Sequence, residues 1–233
     1  MSTLAAASSR EAHKEAAVPY GFLDIAATPS VKAAQAANGA TEFWSNFHGD
    51  RLSDRFTEAE TAFIGSRDSF YMATVSETGW PYVQHRGGPP GFLRVLDDKT
   101  LGFADFRGNR QYISVGNLTA NDRAALILMD YPRRRRLKIL AHVEMKDLTD
   151  DDKLAAQLAT PGYRGKVERA VVLHLEAFDW NCPQHITPRF SEAELIDVLT
   201  PVRTRIEALE AENKVLREQV SGLLVSAPAK VPV

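Results

Sequence analysis

The chain has 233 residues, of which 44% are hydrophobic and 25% charged, and its formal net charge is −2. This length and composition predict one soluble domain with a sizeable core, and the near-neutral charge argues against nucleic acid as the main partner. The single cysteine, Cys182, excludes an internal disulfide and offers no metal-ligand spacing. No apolar run is long enough to span a membrane, and the first residues lack the basic region and apolar core of a signal peptide. We therefore expect a cytoplasmic protein.

Helix signals stand in the first part of the chain. Thr28 precedes Pro29, which suits the first helical position, and Asn38-Gly39 is a stop signal. Thr57 and Glu60 have the spacing of a capping box for a further helix. We expect residues 1–55 to form an N-terminal extension with a short helix.

Short apolar segments separated by turn residues follow. They predict strands at Ser69–Ser76, Pro81–Gly87, Phe92–Leu96, Thr100–Asp105, Arg123–Met129, Leu137–Met145 and Ala170–Trp180. Helices are predicted at Gln111–Leu118 and from the Thr149–Lys153 run to about Ala159. Strands at short spacing with hairpin turns favour a predominantly antiparallel sheet.

Two of these strands end in polar and basic residues. One ends in His85-Arg86-Gly87, and another leads into Arg107–Arg110 at the start of a predicted helix. Backbone N–H groups at a helix N-terminus and guanidinium groups can together hold a phosphate. Taken alone, Arg and Gly in a loop are usually solvated turn residues, but the occurrence of two such strand ends favours an anion site.

The segments F-A-D-F-R-G-N-R-Q, N-D-R-A-A-L-I-L and R-R-L-K-I-L-A-H-V-E carry a family resemblance. With the preceding strands they resemble the FMN-binding split β-barrel of the pyridoxamine 5'-phosphate oxidase-like superfamily. The resemblance implies a mainly β fold with peripheral helices, in which residues 56–190 form a six-stranded antiparallel split barrel. It also implies a homodimer with FMN at the subunit interface and a small-molecule substrate.

The resemblance places Arg110 at the end of a phosphate-binding loop, Arg86 on a strand that reaches the phosphate, and Arg136 on a strand that faces the flavin. Gly87 and Gly88 suit either a close backbone approach to the ring or a bend of the strand. No catalytic residue is identified. The full set of expected cofactor-binding residues is Gln84, His85, Arg86, Gly87, Arg107, Asn109, Arg110, Gln111, Arg136, Trp180, Asn181, Cys182, Gln184 and His185.

The segment Trp180–His185 resembles one that carries an aromatic and polar groups to the neighbouring subunit's flavin. The alternative is that Trp180 belongs to the core and the rest is a polar loop. The vitamin-making oxidase has an Arg-Leu-His-type element here for the substrate phosphate, whereas this chain has Pro183–Ile186. This departure weakens the case for pyridoxamine 5'-phosphate as the substrate.

Residues 191–233 carry a separate pattern, predicted to form C-terminal helices with a short coiled coil and a loose tail. Apolar residues alternate at spacings of three and four from Val202 to Leu223, with Asn213 as the polar exception. β-Branched residues at a, Leu at d and one Asn at a favour a parallel two-stranded coiled coil. Arg205 would face Glu210 of a second chain. The alternative is an amphipathic helix lying on its own barrel.

The leading functional hypothesis is an FMN-dependent oxidoreductase that transfers hydride between a small substrate or reduced nicotinamide and FMN. The alternatives are a flavin store or redox sensor without turnover, and a split barrel that binds haem or a deazaflavin. The chain has no Gly-x-Gly-x-x-Gly sequence opening a helix, so nicotinamide use has no motif in its support. The run Arg133–Arg136 is best interpreted as a solvated hairpin tip, except for Arg136.

Overall fold

The computed structural model describes residues 21–45, 54–180 and 183–226. The chain forms two compact units. The first extends through Asp130 and resumes over Arg134–His185, and the second comprises Tyr131–Arg133 and the chain from Ile186 onward. Four short helices precede the sheet of the first unit: α1 at Phe22–Ala26, α2 at Pro29–Ala37, α3 at Thr41–Ser45 and α4 at Glu58–Gly65.

The helix signals of the sequence are confirmed. Thr28 caps α2 by accepting a hydrogen bond from the backbone of Val31, with Pro29 at the first helical position. Thr57 and Glu60 form the capping box of α4. Glu60 also accepts a hydrogen bond from Trp180, so this carboxylate joins the helix start to the sheet.

Seven antiparallel strands form one sheet: β1 at Ser69–Val75, β2 at Pro81–Gly87, β3 at Arg94–Asp97, β4 at Thr100–Phe106, β5 at Arg123–Asp130, β6 at Arg135–Lys146 and β7 at Val167–Trp180. Their order is β2-β1-β5-β6-β7-β4-β3. The antiparallel fold is confirmed, but the expected count of six strands is wrong. The count of six comes from the family resemblance, whereas the seven strands correspond to the seven apolar segments of the sequence. The shortest is the four-residue β3, an edge strand that pairs only with β4 among the described residues.

The sheet is strongly curled, and its backbone ladder remains open. β2 is first and β4 sixth in the strand order, yet Arg86 of β2 and Asp105 of β4 form an ion pair at 2.7 Å. Inside the curl lies a core of large apolar side chains, among them Phe70, Phe103 and Leu173. The curl brings together the two strand ends that the sequence singled out.

Two further helices lie on this unit: α5 at Ile113–Ala120 and α6 at Asp152–Leu158. α5 begins two residues later than predicted, because Gln111 and Tyr112 belong to the preceding loop. α6 packs Leu154 and Leu158 against β4 and β7. A side chain in place of Gly102 would lie 3.0 Å from Leu158 and 2.9 Å from Leu96, so glycine permits this close packing.

The second unit consists mainly of one helix, α7, at Glu192–Ser226. Ser191 and Glu194 form hydrogen bonds with each other at its start, in the manner of a capping box. α7 continues through Pro201, so the described part of this region is one long helix. Among the described residues, no helix combines the length and apolarity needed to cross a bilayer.

Candidate functional site

The candidate site lies where the ends of β2 and β4 meet. Register pairs Arg86 with the buried Phe70 and His85 with the half-exposed Tyr71, so Arg86 lies on the inner side of the sheet and His85 on the outer side. On β2 the polar residues Gln84 and Arg86 are therefore more buried than Val83, which is 61% exposed. Because β2 turns its polar side chains inward, we look for hydrogen-bonding or ionic partners of Gln84 and Arg86 on the inner side of the sheet.

Asp105 is the central acidic partner. This residue is 6% exposed, and its carboxylate accepts a hydrogen bond from Nη1 of Arg86 at 2.7 Å. Arg169 of β7, which pairs with Asp105 in the ladder, brings its Nε to 3.5 Å from the same carboxylate. Burial raises the pKa of Asp105, although both arginines oppose this effect. Arg169 is also paired with Glu168, its Nη2 lying 3.4 Å from that carboxylate, and Glu168 pairs with Arg107 as well. Three guanidinium groups therefore share two carboxylates.

The loop after β4 has an unusual backbone. Arg110 and Tyr112 adopt left-handed conformations, with φ of 62° and 53°. Such residues are strained unless they are glycine, and they cluster at binding sites. Asn109 holds the loop by accepting a hydrogen bond from the backbone of Gln111 and donating one to its side chain, each at 3.1 Å.

This loop leads into the N-terminus of α5. Tyr112 is the N-cap residue, and its side chain makes no capping hydrogen bond. Ser114 of the first turn donates a hydrogen bond to Gln84 at 3.2 Å, and deeper in α5 Asn117 donates one to Thr74 at 3.0 Å. These bonds fix the helix to the inner sides of β1 and β2, so its N-terminus is held close to Arg86.

Two adjoining pockets result. The first, of about 60 Å³, includes Gln84, Arg86, Asn109, Arg110 and Gln111 in its lining. The second, of about 220 Å³, is lined by Gln84, His85, Arg86, Gly87 and Arg107 together with Phe92 and the end of β4. Eight of the residues predicted from the sequence thus come together around two pockets that share Gln84 and Arg86.

The two glycines after His85 have a local structural reason. A Cβ at Gly87 would lie 3.0 Å from the imidazole of His85, and one at Gly88 would lie 2.6 Å from the ring of Phe92. The absence of a side chain at Gly87 and Gly88 therefore makes room for the rings of His85 and Phe92. The explanation of Gly88 by contact with a planar ligand is not needed.

Arg107 is held at the rim. Its Nε lies 2.6 Å from Glu168 of β7, and the Tyr112 hydroxyl donates a hydrogen bond to the same carboxylate at 3.1 Å. The hydrogen bond from Arg107 is the largest effect on Glu168, and it lowers the pKa of that carboxyl. Arg107 is thus held in an ion pair with Glu168, whereas Arg110 is exposed and lines the first pocket.

Arg136 lies apart from these pockets. It is on β6 opposite Met129 and lines neither of them. Its Nε is buried without a hydrogen-bond partner among the described residues. Lys138 lies two residues along on the same face, where it forms an ion pair with Asp179 at 2.8 Å. Its Nζ lies 4.6 Å from the ring centre of Phe22.

Trp180 ends β7 in a structural setting. Its indole donates a hydrogen bond to Glu60 at 2.7 Å, and its ring contacts Phe63 edge-to-face and Arg135 through a cation–π contact. Asn181 and Cys182 lie outside the described residues. Gln184 and His185 are exposed. In a single chain these residues do not join the two pockets, and their contribution to a cofactor site stays a prediction.

Sequence reasoning did not select Asp105, Glu168 or Arg169, although they organise the basic groups of the site. Asp105 carried one signal, a carboxylate at the end of the otherwise apolar run Leu101–Phe106. Glu168 and Arg169 directly precede an apolar run, but their proximity to Asp105 follows from the pairing of β4 with β7. That pairing joins segments more than 60 residues apart and has no local signature.

A family model described as pyridoxamine 5'-phosphate oxidase matches residues 56–176, just over half of the chain. No curated protein matches the sequence. A solved structure of a putative pyridoxamine 5'-phosphate oxidase from Lactobacillus delbrueckii shares 24% identity, with a TM-score of 0.42. The match covers 54% of this chain and 94% of that one.

Two further solved structures are similar to this chain over comparable lengths. The tagged HupZ protein of Group A Streptococcus shares 18% identity with a TM-score of 0.42, and the match covers 58% of this chain and 99% of that one. An FMN-binding protein from Syntrophomonas wolfei shares 15% identity with a TM-score of 0.39, with coverage of 63% and 97%.

Proposed function

Because the chain belongs to the pyridoxamine 5'-phosphate oxidase family, we propose that it is an FMN-dependent oxidoreductase. When bound, FMN would exchange a hydride with a small substrate or a reduced nicotinamide and pass the electrons to an acceptor. The chain's own residues would hold the phosphate and the polar edge of the flavin.

The observation that carries this proposal is the meeting of the β2 end with the loop after β4. Arg86 and Arg110 approach one pocket from segments that are 24 positions apart in the sequence, next to the uncapped N-terminus of α5. Guanidinium groups and free helical N–H groups form a site for a phosphate dianion. Gln84, Asn109 and Gln111 supply amide groups that suit a polar ribityl chain.

An unsatisfied donor supports the fit. Nε of Arg86, a residue that lines both pockets, is buried and has no hydrogen-bond partner among the described residues. Buried N–H groups are costly without acceptors, which an anionic ligand would provide. Arg86, Arg107 and Arg169 outnumber the two carboxylates that they contact, Asp105 and Glu168, and this charge balance favours the same class of ligand.

A second copy of the chain would complete the site. The larger pocket measures about 220 Å³, below the roughly 300–1,000 Å³ of sites for molecules of cofactor size. The outer face of the β1–β2 hairpin exposes Tyr71, Val75, Val83 and, at 76%, Trp80. An apolar patch of this kind is typical of an interface, and in the proposed dimer it lies beside His85 and Gly87. Arg136, Gln184 and His185 are the residues we propose to reach the flavin in that assembly.

The test is reconstitution followed by reduction. Purified protein freed of ligand is titrated with FMN and, as a control, with riboflavin, which lacks the phosphate. We expect FMN to bind tighter by about 10- to 150-fold, the equivalent of about 1.5–3 kcal/mol for hydrogen bonds to a charged group. Equal affinity for the two flavins would contradict the phosphate site.

The reconstituted protein is then mixed anaerobically with NADH, NADPH or candidate small substrates, and the flavin absorbance is followed. Bleaching faster than that of free FMN would support the oxidoreductase. Tight FMN binding with no accelerated reduction by any donor would instead favour a flavin store or redox sensor.

A further inference from the structure

α7 presents a longer apolar seam than the sequence pattern alone indicated. Because the helix is continuous from Glu192 to Ser226, the alternation of spacings four and three that runs to Leu223 begins at Leu195 and not at Val202. This stretch spans more than three heptads, and every seam position except Asn213 is apolar. The seam side chains from Leu195 to Val220 are 44–54% exposed where their exposure is given.

Pro201 does not interrupt this seam, because it lies at an outer c position. Proline leaves the carbonyl four residues earlier without its helical hydrogen bond, and here that carbonyl belongs to Asp197, at an outer f position. Next to this gap, the Thr200 hydroxyl donates a hydrogen bond to the carbonyl of Ile196 at 2.7 Å. The missing bond therefore faces away from the apolar seam.

We propose that α7 pairs along this seam with α7 of a second copy, in parallel and in register. Charge complementarity supports a second copy as the partner: Arg205 at g would face Glu210 at e of the other chain, and Glu212 would face Arg217. Two such attractive pairs on each side accompany the apolar seam, and no like-charged pair opposes them at these positions.

Asn213 determines the orientation. In a parallel pair in register it faces its own symmetry mate, so the two amides hydrogen-bond to each other. An antiparallel pair aligned on the same seam would set Asn213 against an apolar residue such as Val202 and leave the amide unsatisfied. In the single chain, Asn213 instead accepts a hydrogen bond from Nε of Arg217 at 2.7 Å, a contact that the proposed pairing would exchange for the bond between the two amides.

Cysteine cross-linking of the full chain tests this arrangement independently of any contact made by the sheet. Val202→Cys and Leu216→Cys are seam variants at d positions. Val215→Cys is the matched control, because Val215 is 52% exposed and Leu216 is 51%, yet Val215 lies at an outer c position. Native Cys182 is present in all three, so its background is the same.

Under mild oxidation, both seam variants should form covalent dimers about tenfold more completely than Val215→Cys, because cysteines with Cα atoms more than about 7 Å apart cannot be bridged. Adding Leu209→Lys should abolish cross-linking at Leu216→Cys, whereas Ala211→Lys at an outer position should not. Cross-linking at only one seam position would indicate an antiparallel pair and overturn the parallel arrangement. Equal or absent cross-linking in seam and control variants would overturn the pairing itself. FMN binding would be unaffected by either result.

Discussion

Asp105 shows how one buried carboxylate can organise a basic pocket. Its carboxylate lies 2.7 Å from Nη1 of Arg86 and 3.5 Å from Nε of Arg169. The negative charge between them offsets the repulsion of the two guanidinium groups. Glu168 lies 3.4 Å from Arg169 and 2.6 Å from Arg107. Two carboxylates thus balance three guanidinium groups, and the remaining positive charge attracts an anion. The positions of these side chains are set before any ligand binds.

The pH dependence of stability should reveal this carboxylate. Burial raises the pKa of Asp105 above its ordinary value of 3.8, so the folded protein binds this proton more readily than the unfolded chain. The stability contributed by this group is complete below 3.8 and decreases as the pH rises through the raised pKa. We expect wild-type protein to lose unfolding free energy relative to Asp105→Asn over that interval, measured by urea denaturation. A relative gain for wild type would contradict the assignment.

Arg110 offers the sharpest substitution at the pocket. Arg110→Asn removes the guanidinium while keeping a residue that tolerates the left-handed backbone. The loss of a charge-assisted contact with the phosphate should weaken FMN binding by about 1.5–3 kcal/mol, or roughly 10- to 150-fold. Arg134→Asn is the matched control, since Arg134 is also an exposed arginine with positive φ, at 53° against 62°. Fluorescence titration with FMN measures both variants, and similar affinities would show that the loop is misassigned.

At the scale of elements, α5 is the part that ties the loop to the sheet. Leu118 packs into the core, and buried polar groups add to this anchor: Asn117 is 8% exposed and donates to Thr74, which is 1% exposed. Ser114 makes a similar bond to Gln84 nearer the pocket. A helix anchored by hydrogen bonds holds one orientation, and its N-terminus stays directed at the proposed phosphate.

Asn117→Ala should therefore destabilise the protein, because it leaves the Thr74 hydroxyl buried without its partner. We expect a loss of about 1–3 kcal/mol in unfolding free energy, measured from denaturant midpoints. Thr119→Ala on the same helix removes an exposed hydroxyl and should change stability by less than about 0.5 kcal/mol. Equal effects of the two substitutions would rule out Asn117 as an anchor.

Local signals in the sequence predicted the elements well. Thr28, Thr57 and Glu60 act as caps where their spacing indicated, and the apolar segments form antiparallel strands. What could not be predicted depends on long-range pairing or on context. The contact of Asp105 with Arg169 requires β4 to lie beside β7, and the continuity of α7 through Pro201 runs against the usual tendency of proline to end a helix.

At the scale of the whole molecule, two surfaces favour self-association. One is the exposed outer face of the β1–β2 hairpin, and the other is the seam of α7. We expect the apolar seam to supply most of the stabilisation of the α7 pair, since an exposed ion pair contributes only about 0.2–1 kcal/mol. The double variant Ile206→Lys, Leu209→Lys should therefore weaken self-association more than Glu212→Lys. Sedimentation over a dilution series compares the variants. A larger effect of Glu212→Lys would place the stabilisation in the charges.

The identity of the ligand that copurifies with the protein tests the central claim most directly. Mass spectrometry of the small molecules released on denaturation, together with the absorbance spectrum before release, identifies the cofactor without assuming a substrate. We predict FMN, and we predict that protein purified without ligand takes up FMN to one molecule per chain. Release of haem or a deazaflavin, or failure of the ligand-free protein to bind FMN, would contradict the account.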